Sequence, residues 1–197
     1  MNKTQRLFDK NSYAVTRGHD FVEINGVKWA TCNLGAENPE DPGMYFRWGD
    51  NKGIYRADHE IYKEKFSNDY DTIVPNTRSW NADPVQMLWG GKWRMPTVEE
   101  FRKLFHSISF QRKTNYEHSV SIHIGEKKFY IPLGGFCDAF FIYAIKEYGC
   151  YWTKTAYSHM GAYSANFDGS AIDKSSQLYI SKDDKCLGLN IRPVLDV

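Results

Sequence analysis

The chain has 197 residues, with 25 basic and 24 acidic side chains and a formal net charge of +1. Such a length suits one domain with its own core, and so even a charge balance gives no electrostatic reason to expect nucleic acid. No stretch approaches the length of a transmembrane helix, so membrane insertion is not expected.

In chain order, residues 1–20 are polar and weakly patterned, which reads as an arm. They lack the apolar core of a signal peptide. Phe21 to Ile24, Asn25-Gly26 and Val27 to Ala30 predict a hairpin, because Asn-Gly supplies the positive φ angles of a type I′ turn. Asn33 to Gly43, with Pro39 and Pro42, is loop chemistry. Residues around 50–79 are polar and tyrosine-rich and read as a surface insertion, with one helical turn near Glu60 to Phe66.

Asp83 and Pro84 open a short helix as N-cap and first helical residue, and Gly90-Gly91 ends it. Thr97 and Glu100 form a capping box for a second helix running to about Ser107, with Phe101, Leu104, Phe105 and Ile108 on its apolar face. Val120, Ile122 and Ile124 alternate, as do Phe129, Ile131 and Leu133. Gly125-Glu126 between them suggests a second hairpin. Short strands follow around Tyr151–Thr155, Ala162–Phe167 and Asn190–Val194, separated by polar loops. Strands at both ends flanking two central helices predict an α+β domain over 21–197.

Several of these segments carry a family resemblance. Trp89 to Thr97 (Trp-Gly-Gly-Lys-Trp-Arg-Met-Pro-Thr) followed by Glu99, Glu100 and Phe101 resembles the central signature of the "Fibrobacter succinogenes major paralogous" domain. Val27–Gly35, Gly43–Gly49, Tyr130–Gly135, Tyr151–Thr155 and Ile191–Val194 resemble its other motifs, in order. The resemblance implies a C-type-lectin-like fold with short antiparallel sheets and paired terminal strands, here the Phe21–Ala30 hairpin against Asn190–Val194. It also implies kinship with formylglycine-generating enzymes and with the variable ligand-binding proteins of diversity-generating retroelements.

Candidate chemistry is sparse. The four cysteines, Cys32, Cys137, Cys150 and Cys186, lack metal-ligand spacing. Two disulfides are open to an exported chain; reduced thiols are the favoured reading, with Cys32 as a small buried hydrophobe. Cys150 and Cys186 are the only candidates for the reactive pair of a formylglycine-generating oxidase, and neither lies in that enzyme's pattern. Glu99 and Glu100 project about 100° apart on a helix and serve capping, not acid–base work. His118 and His123 face opposite sides of a strand, and His19, His59, His106 and His159 are isolated. Glu37, Glu40 and Asp41 are solvated loop acids before they are calcium ligands. Of the six tryptophans, Trp29, Trp48, Trp89, Trp93 and Trp152 suit the core, while Trp80 is the freest to be exposed. Arg94 and Arg192 suit buried guanidinium groups spanning carbonyls or an acid. No catalytic residue, metal or cofactor is implied.

The functional expectation falls on the C-terminal surface from Tyr157 to about Lys185. In the retroelement-diversified relatives the equivalent segment carries the variable binding residues. With Tyr163, Ala165 and Phe167 facing the core, Ser164, Asn166 and Asp168 should face out. Together with Tyr157, Ser158, His159 and Met160 they form a paratope-like set, with Tyr157 and His159 as anchors. The expectation is a non-enzymatic module that binds a protein or glycan on a cell surface, as a phage virion or bacterial surface protein, with an oligomer compatible. A decoration protein without ligand and an oxidase are the alternatives.

Overall fold

The computed structural model describes residues 19–55, 83–108, 119–124, 127–138, 141–171 and 177–196. The helical turn expected near Glu60, together with Trp80, His59 and His118, lies outside them.

Asn25 and Gly26 take φ angles of 49° and 74°, the left-handed pair that a type I′ turn requires. They join β1 (Phe21–Ile24) to β2 (Val27–Ala30) with Ile24 opposite Val27. The Asn25 amide also donates to the Lys103 carbonyl at 2.8 Å and to Ser107 Oγ at 2.6 Å. One turn residue thus reverses the hairpin and receives the end of the second helix.

Helix α1 (Pro84–Leu88) begins as expected, with the Asp83 carboxylate accepting from the Val85 and Gln86 amides. Its other oxygen accepts from the Met95 amide at 2.7 Å, which ties the cap to β3 (Trp93–Arg94). Helix α2 (Val98–Ser107) carries the expected capping box. Glu100 accepts from the Thr97 amide at 2.7 Å and from both terminal nitrogens of Arg94 at 2.9 and 2.7 Å. Arg94 reaches Asp196 at 2.6 Å as well. Glu99 pairs instead with Arg102 on the exposed face.

Burial alone would push the Glu100 carboxyl up, but the hydrogen bonds from Arg94 and Thr97 outweigh it and hold the group below its ordinary value. The native state therefore binds this proton less readily than the unfolded chain. The stabilisation is fully present above the unfolded value of about 4.3 and is lost as pH falls through the lower native value. Glu100→Ala is expected to cost about 2 kcal/mol at neutral pH through the lost cap and the lost two-pronged ion pair with Arg94. Urea titrations of both proteins should show that gap closing below about pH 4. A gap that stays constant to pH 2 would contradict this assignment.

Strands β4 (Ser119–Ile124) and β5 (Lys127–Pro132) pair as the second hairpin, and β6 (Phe136–Cys137) pairs with β7 (Ile142–Tyr143). Strands β8 (Tyr148–Ala156), β9 (Gly161–Asp168) and β10 (Leu178–Asp184) form an antiparallel sheet in the order β10-β9-β8. The terminal strands meet as expected, but the C-terminal partner is β11 (Val194–Leu195), later than the predicted Asn190–Val194. The segment before it is irregular because Pro193 has no amide to donate; its carbonyl still accepts from Ala30 at 2.9 Å. The sheet order β1-β2-β11-β3 places β11 between β2 and β3. Among the described residues, mostly small antiparallel sheets with two helices make this an α+β fold.

Two packed clusters share the three-stranded sheet. Phe101 and Leu104 of α2 pack with Trp29, Tyr151, Ala165 and Phe167 on one face. Phe46, Trp48, Trp152, Ala162 and Leu189 pack on the other. Trp29, Trp48, Trp93 and Trp152 are buried, and Trp89 is half-buried. The arm is not featureless at its end: His19 stacks on Trp89 with 3.7 Å between ring centroids, and burial lowers its pKa.

Candidate binding surface

The β8–β9 turn is built tightly. The Tyr157 and Ser158 amides both donate to the Gly161 carbonyl at 3.1 and 3.2 Å. Ser158 Oγ accepts from the Gly161 amide at 3.0 Å. The Tyr157 ring lies over Gly161 so closely that a Cβ there would fall 2.0 Å from it. Glycine leaves room for the ring in this position.

Lys185 fastens the turn from below. Its backbone amide donates to the Met160 carbonyl at 2.9 Å and its ammonium to the His159 carbonyl at 3.0 Å. The ammonium also sits 4.4 Å from the centre of the Trp48 ring, a cation–π contact that offsets part of its desolvation. Burial lowers its pKa. Above this support Tyr157 and Met160 are 44% and 41% exposed, and Ser158 and His159 are exposed with them. Lys182 reaches over the Tyr157 ring at 5.2 Å, and Tyr163 packs beside it at 5.8 Å.

The other expected contact residues are placed differently. Ser164 is fully buried and Asn166 is 5% exposed. They do point away from Ala165 and Phe167, as alternation requires, but that side is not solvent. Phe46, Trp48 and Leu189 pack on part of it and the remainder forms a cleft, so alternation here selects between two lined faces, not between core and open surface. Ser164 bonds to the Asp183 carboxylate and accepts from Asn166 Nδ2 at 2.9 Å. Asp168 is half-buried and accepts from the Ser170 amide and hydroxyl at 2.8 and 2.7 Å. Tyr163, expected in the core, is half-buried against Tyr157. The structure therefore brings Tyr157, Ser158, His159 and Met160 together and separates Ser164, Asn166 and Asp168 from them.

Strand β10 is absent from the expected elements. Its sequence, Leu-Tyr-Ile-Ser-Lys-Asp-Asp, has an apolar residue at only two positions, Leu178 and Ile180. That period of two was the available signal. Its register sets Tyr179 opposite Asn166, Ser181 opposite Ser164 and Asp183 opposite Ala162. This face, with Tyr148 and Cys150 of β8 and Phe136 of β6, lines a cleft of about 250 Å³.

Cys137 and Cys150 are buried, and burial pushes both thiols up to about 12. None of the cysteines is in a disulfide. Cys32 is half-buried rather than buried, near the Thr31 hydroxyl at 3.9 Å and the Glu37 carbonyl at 4.0 Å. Among the described residues no three His, Cys, Asp or Glu side chains gather as a metal site. No described helix is long and apolar enough to cross a membrane.

Comparison with family models, with curated proteins and with solved structures finds no match for this chain.

Proposed function

We propose that this chain is a non-enzymatic ligand-binding module of C-type-lectin-like fold. It recognises a protein or glycan surface through the β8–β9 turn, as part of a phage virion or of a bacterial surface. The fold reading is supported by the antiparallel pairing of β2 with β11, which brings the two ends of the domain together. The binding reading is carried by one observation: Tyr157 and Met160 stand exposed on a turn fastened by the hydrogen bonds of Gly161 and Lys185. Rigid aromatic anchors cost little entropy on binding, and a fixed loop needs no ordering. The oxidase alternative loses ground, because a buried Cys150 thiol pushed up to about 12 is a poor metal ligand and nucleophile.

Glycan and cell-surface screens test this with the native chain and a variant combining Tyr157→Ala, His159→Ala and Met160→Ala. Loss of at least tenfold in affinity is expected with the melting temperature unchanged, because exposed turn residues contribute little to stability. A folded variant that binds like the native chain would refute the site.

A further inference from the structure

We propose that the cleft between β6 and the β8–β10 sheet takes an alkylammonium group, with Asp183 as its counter-ion and the rings of Tyr148, Tyr179 and Phe136 as its walls.

The charge inventory of the cleft carries the inference. Its lining includes Asp183, Asn166, Ser181 and the three rings, and among the described residues no lysine, arginine or histidine. The two lysines flanking Asp183 in sequence are both engaged elsewhere. Lys182 lies over the Tyr157 ring on the opposite face of the sheet, and Lys185 lies over the Trp48 ring. Asp183 has the Ser164 and Ser181 hydroxyls as partners and no ion pair among the described residues. A second carboxylate, Asp168, engages the Tyr148 hydroxyl at the rim.

The other acidic protons of the cleft stay in place at neutral pH. Burial, then the neighbouring Tyr148, Cys150, Asp168 and Asp183, push the Tyr179 hydroxyl up to about 12. Burial and then Asp183 do the same to the Cys150 thiol. Among its described residues the site therefore carries carboxylates with no basic group, beside three aromatic rings.

An ammonium answers each of these features. It compensates a half-buried carboxylate that is otherwise costly to desolvate. Its three N–H groups can reach Asp183, Ser181 Oγ and the Asn166 carbonyl oxygen, while the rings attract it through their quadrupoles. A volume of about 250 Å³ holds such a group with a short carbon chain or one sugar ring. A neutral sugar would fill the space and leave the charge uncompensated.

The site faces away from Tyr157, so this inference and the binding role of the turn fail separately. The test is an NMR titration of the full-length protein with glucosamine, cadaverine and Nα-acetyl-lysine amide, against glucose and N-acetylglucosamine. Saturable shifts of the Asn166 and Ser181 amides with the amines alone are expected. Preference among the three separates a sugar-borne amine, a free diamine and a protein side chain. Asp183→Asn, which keeps the shape, should weaken amine binding at least tenfold. Tyr179→Leu, at a partly exposed wall, should weaken it several-fold and serves where Asp183→Asn fails to fold. The variant with the altered turn should bind amines as the native chain does. Equal binding of the neutral sugars, no saturation by any amine, or amine binding indifferent to the folded variants would overturn the proposal.

Discussion

Arg192→Ala is expected to cost about 3–5 kcal/mol, through a buried cavity and several buried acceptors left with a partner fewer. The guanidinium is fully buried, yet among the described residues no acid pairs with it. Nε donates to the Asn33 amide oxygen at 2.6 Å. One terminal nitrogen donates to the Ala30 and Thr31 carbonyls at 3.0 and 2.9 Å, and the other to the Tyr130 carbonyl at 2.8 Å. The Phe129 ring covers its carbon at 4.9 Å. Oxygen dipoles and a π face thus replace water around the charge.

The contacts join the end of β2, the loop after it, β5 and the C-terminal segment, which are far apart in sequence. Alanine would leave these acceptors buried with one partner fewer and open a cavity beside them. Arg192→Lys keeps the charge but presents one nitrogen where three are used, so it should recover only part of the loss. Urea denaturation checks this: a lower midpoint with an unchanged slope is expected. A loss under 1 kcal/mol for alanine would mean that the oxygens are rehydrated, and that the guanidinium does not organise this junction.

The arrangement around Arg192 was legible in outline. Arg192 stands in the motif Ile-Arg-Pro-Val, and a guanidinium buried there needs acceptors around it. Which acceptors these are depends on tertiary folding. The two helices were legible residue by residue, because Asp83-Pro84 and Thr97/Glu100 satisfy amide donors within a few residues of themselves, so the signal is local. The Asn25-Gly26 turn is equally local.

Strand β10 offered only the short period-two signal of Leu178 and Ile180, and its other face is polar because Tyr179, Ser181 and Asp183 lie opposite Asn166, Ser164 and Ala162 on the neighbouring strand. No local pattern encodes that register. The same cause misplaced Ser164 and Asn166. Alternation on β9 separated two faces correctly, but it holds no information on whether a second layer covers the polar one. That layer comes from Phe46, Trp48 and Leu189, which cover part of the face, and only the fold brings them there. The exposed turn at Tyr157 to Met160 was legible because a hairpin end has nothing beyond it to bury against.

That second layer sets the other large effect. Trp152→Ala should destabilise the chain by about 3–5 kcal/mol, which for a domain of this size lowers the melting temperature by roughly 6–20 °C. Trp152 is fully buried, and its indole N–H donates to the Phe46 carbonyl at 2.7 Å. Trp48 returns the contact, its indole donating to the Thr153 carbonyl at 2.8 Å. Two indoles thus cross-stitch residues 46–48 to β8, and the same Trp48 ring supports the Lys185 ammonium beneath the turn. Trp152→Phe keeps most of the volume and loses the hydrogen bond; the Phe46 carbonyl retains the Leu189 amide at 3.0 Å, so a cost of about 1–2 kcal/mol is expected. In the alanine variant the cover over Ser164 should loosen before the α2 side of the sheet does. Amide exchange would then accelerate at Ser164 and Asn166 more than at Phe101 and Leu104. Uniform acceleration at all four would instead show that the two clusters unfold as one unit, and that the layer over the polar face is no weaker than the core beneath α2.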